Sequence, residues 1–216
     1  MKYKTKQLIT LAMLSALAYI IMGVGRIPVV MFLKYDPKDV IITIGGFIYG
    51  PGSAFLISVI VSLVEMLSVS DTGIIGFIMN VISTCAFACI AAYIYKRKHT
   101  LQGAIIGLIT GCIAMTTVML LWNYLLTPLY LGYPREAVVK LLLPVFLPFN
   151  LLKSSLNAAI TMLLYKPIVT TLRKNNLVPE SIQGSQSTKI NIGVMLVSAF
   201  AIITCILIVL VLNGYI

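Results

Sequence analysis

Lys153 is the residue whose type and setting most suggest chemistry. It falls inside an apolar run, Leu141 to Val169, and shares a helical face with Asn150 and Asn157 at spacings of three and four. An ammonium supplies donors, and an amide both donates and accepts. Such a face can hold the polar edge of a neutral or weakly acidic molecule. Asn80 and Asn123 stand in two further apolar runs and extend the same set. Polar groups inside apolar helices are costly and tend to mark a ligand path. A plainer role exists for each: Lys153 can snorkel to a surface, and the asparagines can tie helices together.

Other chemistries lack their residues. There is no G-x-x-x-x-G-K-[ST] phosphate loop, so ATP hydrolysis of that type is excluded. The single histidine, His99, adjoins the basic run Lys96-Arg97-Lys98, and no His/Asp/Ser set lies in the apolar runs. Cys85 and Cys89 are four apart without a further ligand nearby, and Cys112 and Cys205 lie in apolar runs. We expect no metal site, no disulfide and no catalytic residues. Glu65 is the one candidate for an acid at the membrane interface.

Composition defines the medium in which these residues must be placed. Of 216 residues, 60% are hydrophobic and 10% charged, against about 45–50% and about 25% in soluble domains. This excludes a water-soluble enzyme and points to an integral membrane protein. Apolar runs occupy Leu8–Gly25, Val40–Leu67, Ile74–Tyr95, Leu101–Leu126, Leu141–Val169 and Ile190–Leu212. The second is split by Gly50-Pro51-Gly52. If it were one span, the Lys-rich N-terminus and Lys96-Arg97-Lys98 would lie on opposite sides. As a hairpin, Val40–Tyr49 plus Ser53–Leu67, it brings both to the cytoplasmic side, as the positive-inside rule prefers.

The net charge of +10 then reports orientation, with Lys2, Lys4, Lys6, Lys96, Arg97, Lys98, Lys166, Arg173, Lys174 and Lys189 inside. Nucleic-acid binding is set aside on that ground. Arg26, Lys34 and Lys38 count as outer-loop charges. The predicted architecture is all-α and membrane-integral: a six-helix body over residues 1–174, a cytoplasmic linker over 175–189, and an additional transmembrane helix over 190–216. The sixth helix is expected to start near Pro144 or Pro148. The outer segment from Arg26 to Asp39 has the length and turn residues of a lid. Equally, it is a solvated connection in which Asp39 caps the next helix.

Two small-residue stripes remain. Gly103, Gly107 and Gly111 suit close packing inside the bundle. Ala12 and Ala16 suit either internal packing or a partner protein, and spacing leaves both open.

The chain resembles the substrate-binding S components of energy-coupling factor (ECF) transporters, most closely the riboflavin-specific ones. The resemblance covers roughly residues 5–172. It rests on Leu8-Ile9-Thr10-Leu11-Ala12-Met13-Leu14-Ser15-Ala16, on Asp36-Pro37-Lys38-Asp39-Val40, and on Tyr49-Gly50-Pro51. It continues through Gly76-Phe77 with Asn80, and Asn123-Tyr124 with Pro128, Tyr130 and Gly132. It ends on Pro148-Phe149-Asn150-Leu151-Leu152-Lys153. The last helix has no counterpart in the basic family pattern, and Glu65 has no assigned role.

The resemblance implies a six-helix S-component bundle around an outward-facing pocket. Asn80, Asn123, Asn150 and Lys153 would bind riboflavin, or its phosphate. Tyr35, Asp36 and Asp39 would form the lid or rim. Ala12 and Ala16 would contact a transmembrane coupling subunit served by two ATPases. No cofactor is implied, riboflavin being the transported ligand. The N-terminus of this multi-pass cell-membrane protein would be cytoplasmic. The alternatives are an S component for another vitamin such as thiamine, a membrane enzyme acting on lipid, and a structural helper in a membrane complex.

Overall fold

The computed structural model describes residues 2–30, 33–70, 72–175, 177 and 192–212. Seven helices and one short hairpin appear among them. Helix α1 spans Lys2–Gly25 and leads into strands β1, Ile27–Val30, and β2, Leu33–Tyr35, paired antiparallel. Next come α2, Lys38–Tyr49, and α3, Pro51–Ser68. Helix α4 runs from Gly73 to Lys98 through a π-turn at Cys85–Cys89. Helix α5 is Leu101–Leu131. Helix α6 begins at Arg135, passes a π-turn at Leu142–Phe146 and ends at Lys174, and α7 is Ile192–Leu212. Five helical stretches among the described residues are long and apolar enough to cross a bilayer. The molecule is thus an all-helical, multi-pass membrane protein.

The split of the second apolar run is borne out. Gly50 has φ +95°, which favours glycine, and Pro51 opens α3 at a position where no N–H is needed. Helix α2 has only 12 residues, about 18 Å, yet residues Lys38 to Phe47 are all buried. Alpha-carbon hydrogens replace side chains where neighbours press closest: a Cβ on Gly46 would lie 2.9 Å from both Ala54 and Ala92. Helices α1, α3, α4 and α6 surround this short central helix.

The glycine stripe packs internally, as one of its readings requires. A Cβ on Gly107 would stand 2.7 Å from the Ala91 carbonyl oxygen, and one on Gly111 would stand 2.6 Å from that of Phe87. Helix α5 therefore lies backbone-close to α4. Ala12 and Ala16 are exposed instead, so internal packing of that pair does not occur. Ala16 lines an apolar groove of about 380 Å³ between α1 and α6, with Met13, Leu17, Ile168 and Leu172.

One end of the bundle gathers the α2–α3 turn, the end of α4 and the end of α6. Lys96 packs over Gly50, and the hydroxyls of Thr10 and Tyr49 both donate to the Leu177 carbonyl. This agrees with the topology drawn from the basic clusters.

Two boundaries differ from expectation. Helix α6 starts at Arg135, before Pro144 and Pro148. Pro144 lies within the π-turn, where its missing N–H is absorbed by the widened helix instead of ending it. Asp39 is not a cap: α2 starts at Lys38 behind Pro37, without a side-chain capping bond. The linker expected over 175–189 lies outside the described residues except for Asn175 and Leu177.

Candidate functional site

At the end opposite the basic cluster, the hairpin, α2, α3, α4 and α6 bring their polar residues together. Lys153, on α6, is buried and does not snorkel. Its Nζ lies 3.7 Å from Asp36 Oδ2 and 3.9 Å from Asp39 Oδ2. These are ion-pair distances, longer than hydrogen bonds. The ammonium thus lies between two carboxylates without a hydrogen bond of ordinary length to either.

Asp39 is held from two sides. Thr84 Oγ1 donates to its Oδ1 at 2.6 Å and Asn157 Nδ2 to its Oδ2 at 3.2 Å. Asn157 Oδ1 in turn accepts from the Tyr35 hydroxyl at 2.9 Å. Burial, then Asp36 and Asp39, push the Tyr35 phenol well above its ordinary value, so it stays a donor. Burial alone would raise the Asp36 carboxyl. Lys153, Lys38 and Arg26 outweigh that and hold it below the usual carboxylate range. Asp36 Oδ1 is buried with no hydrogen-bond partner among the described residues, which leaves one acceptor for a guest.

A second ionic centre adjoins the first. Glu65, buried on α3, accepts from Arg26, from Lys38 Nζ, and from Asn80 Nδ2 at 3.0 Å. Lys38 Nζ also lies 3.9 Å from Asp36 Oδ2, which joins the two centres. The network holds Arg26, Lys38 and Lys153 against Asp36, Asp39 and Glu65. Its formal charges cancel, the condition under which ions can be kept out of water.

The expected site residues divide accordingly. Asp36, Asp39 and Lys153 meet directly, Tyr35 joins them through Asn157, and Asn80 enters through Glu65. Asn123 and Asn150 are buried but bond within their own helices. Asn123 Nδ2 donates to the Met119 carbonyl at 2.7 Å, and its Oδ1 accepts from Thr127. Asn150 Nδ2 donates to the Phe146 carbonyl at 2.7 Å, in the π-turn. The side chain of Tyr130 lies outside the described residues.

Arg26, Lys38 and Glu65 were missed as site residues. The two cations had been counted as outer-loop charges, and Lys38 in particular is only 1% exposed. A signal was present: a lone carboxylate in an apolar helix requires a cation, and these are the basic residues flanking the hairpin.

The fold and site together define a membrane-embedded helix bundle around the short α2, with a buried, charge-balanced polar site beneath a hairpin. Residues 6–165 match the family model described as ECF transporter, substrate-specific component. The chain belongs to this family. It is 29% identical over 181 residues to the riboflavin transporter RibU of Staphylococcus aureus, covering 79% of this chain and 94% of that one. It is 27% identical over 175 residues to the riboflavin transporter FmnP of Bacillus subtilis, covering 75% and 91%. A solved structure, described as the S component of a bacterial ECF transporter, superposes with a TM-score of 0.65 at 30% identity. That match covers 79% of this chain and 99% of the other.

Proposed function

We propose that this chain binds riboflavin at the hairpin-covered end and presents it for import. The carrying observation is Lys153, buried between two carboxylates at more than hydrogen-bond distance, beside Asp36, whose Oδ1 has no hydrogen-bond partner among the described residues. The flavin ring system is flat and apolar on its faces, with one edge that alternates carbonyl acceptors and an imide N–H. An ammonium and a carboxylate acceptor suit that edge, and the apolar side chains of Phe149, Leu152 and Leu156 on the same turns of α6 suit the faces. The relatives named riboflavin transporters supply the ligand's identity. Asn123 and Asn150 join the site by turning their amides from their own helix carbonyls toward the ligand.

In this reading the basic end is cytoplasmic and the hairpin faces outward. A coupling subunit with two ATPases supplies the energy. Ala12 and Ala16 meet that subunit, since they are exposed on α1 and Ala16 lines the apolar groove. The chain itself is not an enzyme and needs no cofactor, and riboflavin phosphate is the competing ligand.

The test is the absorption spectrum of protein purified in detergent, followed by titration. A flavin spectrum, with riboflavin bound in preference to its phosphate and to thiamine, is expected. Colourless protein that binds no flavin overturns the reading. Ala16→Leu is expected to abolish most transport while leaving flavin binding intact, because a larger side chain blocks close helix approach.

A further inference from the structure

The family match stops short of α7. The family model ends at residue 165, and the solved S component, aligned over 99% of its own length, reaches only 79% of this chain. Yet α7 lies along α6 and touches β1. Cys205 is buried in one apolar cluster with Val29 and Tyr35 of the hairpin and Phe149, Leu152 and Leu156 of α6. Ile202 and Val209 pack against the same cluster. With Cys205 they occupy one helical face, at spacings of three and four.

We infer that α7 is a clamp on the hairpin, pressing it onto α6 and slowing the escape of a ligand held at Lys153. Three features carry this. A two-stranded ribbon of four and three residues has little stability of its own, so its position depends on what covers it. The cluster and the ionic site share the same turns of α6: Phe149, Leu152 and Leu156 each directly precede Asn150, Lys153 and Asn157. Tyr35 belongs to both, its ring in the apolar cluster and its hydroxyl on Asn157. Lifting the hairpin from α7 therefore breaks the Tyr35–Asn157 bond and draws Asp36 from Lys153. Ile202, Cys205 and Val209 are positioning residues, acting through Tyr35. The ligand half of this inference rests on the flavin reading, and the packing half does not.

The experiment uses the full chain with Cys85, Cys89 and Cys112 replaced by alanine, carrying Val29→Cys. Mild oxidation is expected to cross-link the introduced thiol to Cys205. The cross-linked protein should release bound riboflavin about tenfold more slowly, and reduction should restore the rate. In the unmodified background, Ile202→Ala with Val209→Ala should speed release roughly fivefold without changing the association rate, a split that general destabilisation does not produce. Failure to cross-link, or equal release before and after reduction, overturns the clamp. Efficient cross-linking in protein that binds no flavin upsets the flavin reading alone and leaves the seat of α7 on the hairpin demonstrated.

Discussion

The two ends of this bundle handle polarity in opposite ways. At the hairpin end, Lys38, Lys153, Asp36, Asp39 and Glu65 are all buried, and each charge lies beside an opposite one. At the other end, Lys96, Arg97 and Lys98 are all exposed at the surface. What packs there is aromatic: the buried Phe47 ring lies tilted 4.5 Å from the half-buried Tyr95 and meets the half-buried Tyr165 edge-on at 5.5 Å. A dry ion needs its partner, whereas a solvated one does not. The hairpin end should therefore fail when one charge is removed, and the basic end should tolerate change.

The largest effect is expected from Glu65→Ala. It leaves Lys38 buried without its nearest carboxylate and should destabilise the protein by about 3–5 kcal/mol, read as a lowered unfolding temperature in detergent. Neutralising Glu65 and Lys38 together, with Glu65→Gln and Lys38→Met, should recover part of that loss, since Arg26 is partly exposed and can turn to solvent.

Lys153→Ala comes next; it also leaves Asp36 and Asp39 short of a cation, so its binding role is read from affinity in the protein that remains folded. Loss of a charged hydrogen-bond donor of about 1.5–3 kcal/mol predicts flavin affinity weakened by about 10- to 100-fold in a fluorescence titration. Unchanged affinity would assign Lys153 to holding Asp36 and Asp39 alone.

Gly107→Ala probes the middle of the bundle, away from either end. Its Cβ would meet the Ala91 carbonyl at 2.7 Å, so α5 must move off α4, at about 1–3 kcal/mol, with flavin contacts spared. The smallest effect is expected at the basic end. Tyr95→Phe removes the 2.8 Å bond between the Tyr95 and Tyr165 hydroxyls and should cost about 1 kcal/mol with no change in flavin affinity. A binding defect there would mean that the two ends are coupled.

The fold was largely legible because membrane helices announce themselves by length and apolarity, and basic clusters select the topology. That reasoning recovered the α2–α3 hairpin, which hydropathy alone merges. Helix starts were less legible: Pro144 looks like a beginning but lies in a π-turn, since proline marks a missing N–H and not where the chain spends the resulting gap. The site was half legible. Lys153 and the asparagines stand out because they interrupt apolar runs. Lys38 does not, because it sits among the charges of a loop, where exposure is the ordinary expectation.

Sequence alone determined the membrane medium, the helix count, the close-packing face of Gly107 and Gly111, and the unusual standing of Lys153. These follow from side-chain type and local spacing. Only the tertiary structure decided which charges are buried and with whom. Arg26 and Glu65 are 39 positions apart, and Tyr35 and Asn157 are 122 apart. It also decided that α7 rests on the hairpin. Such pairings depend on which helix faces meet, and a chain's local pattern specifies the faces without specifying their partners.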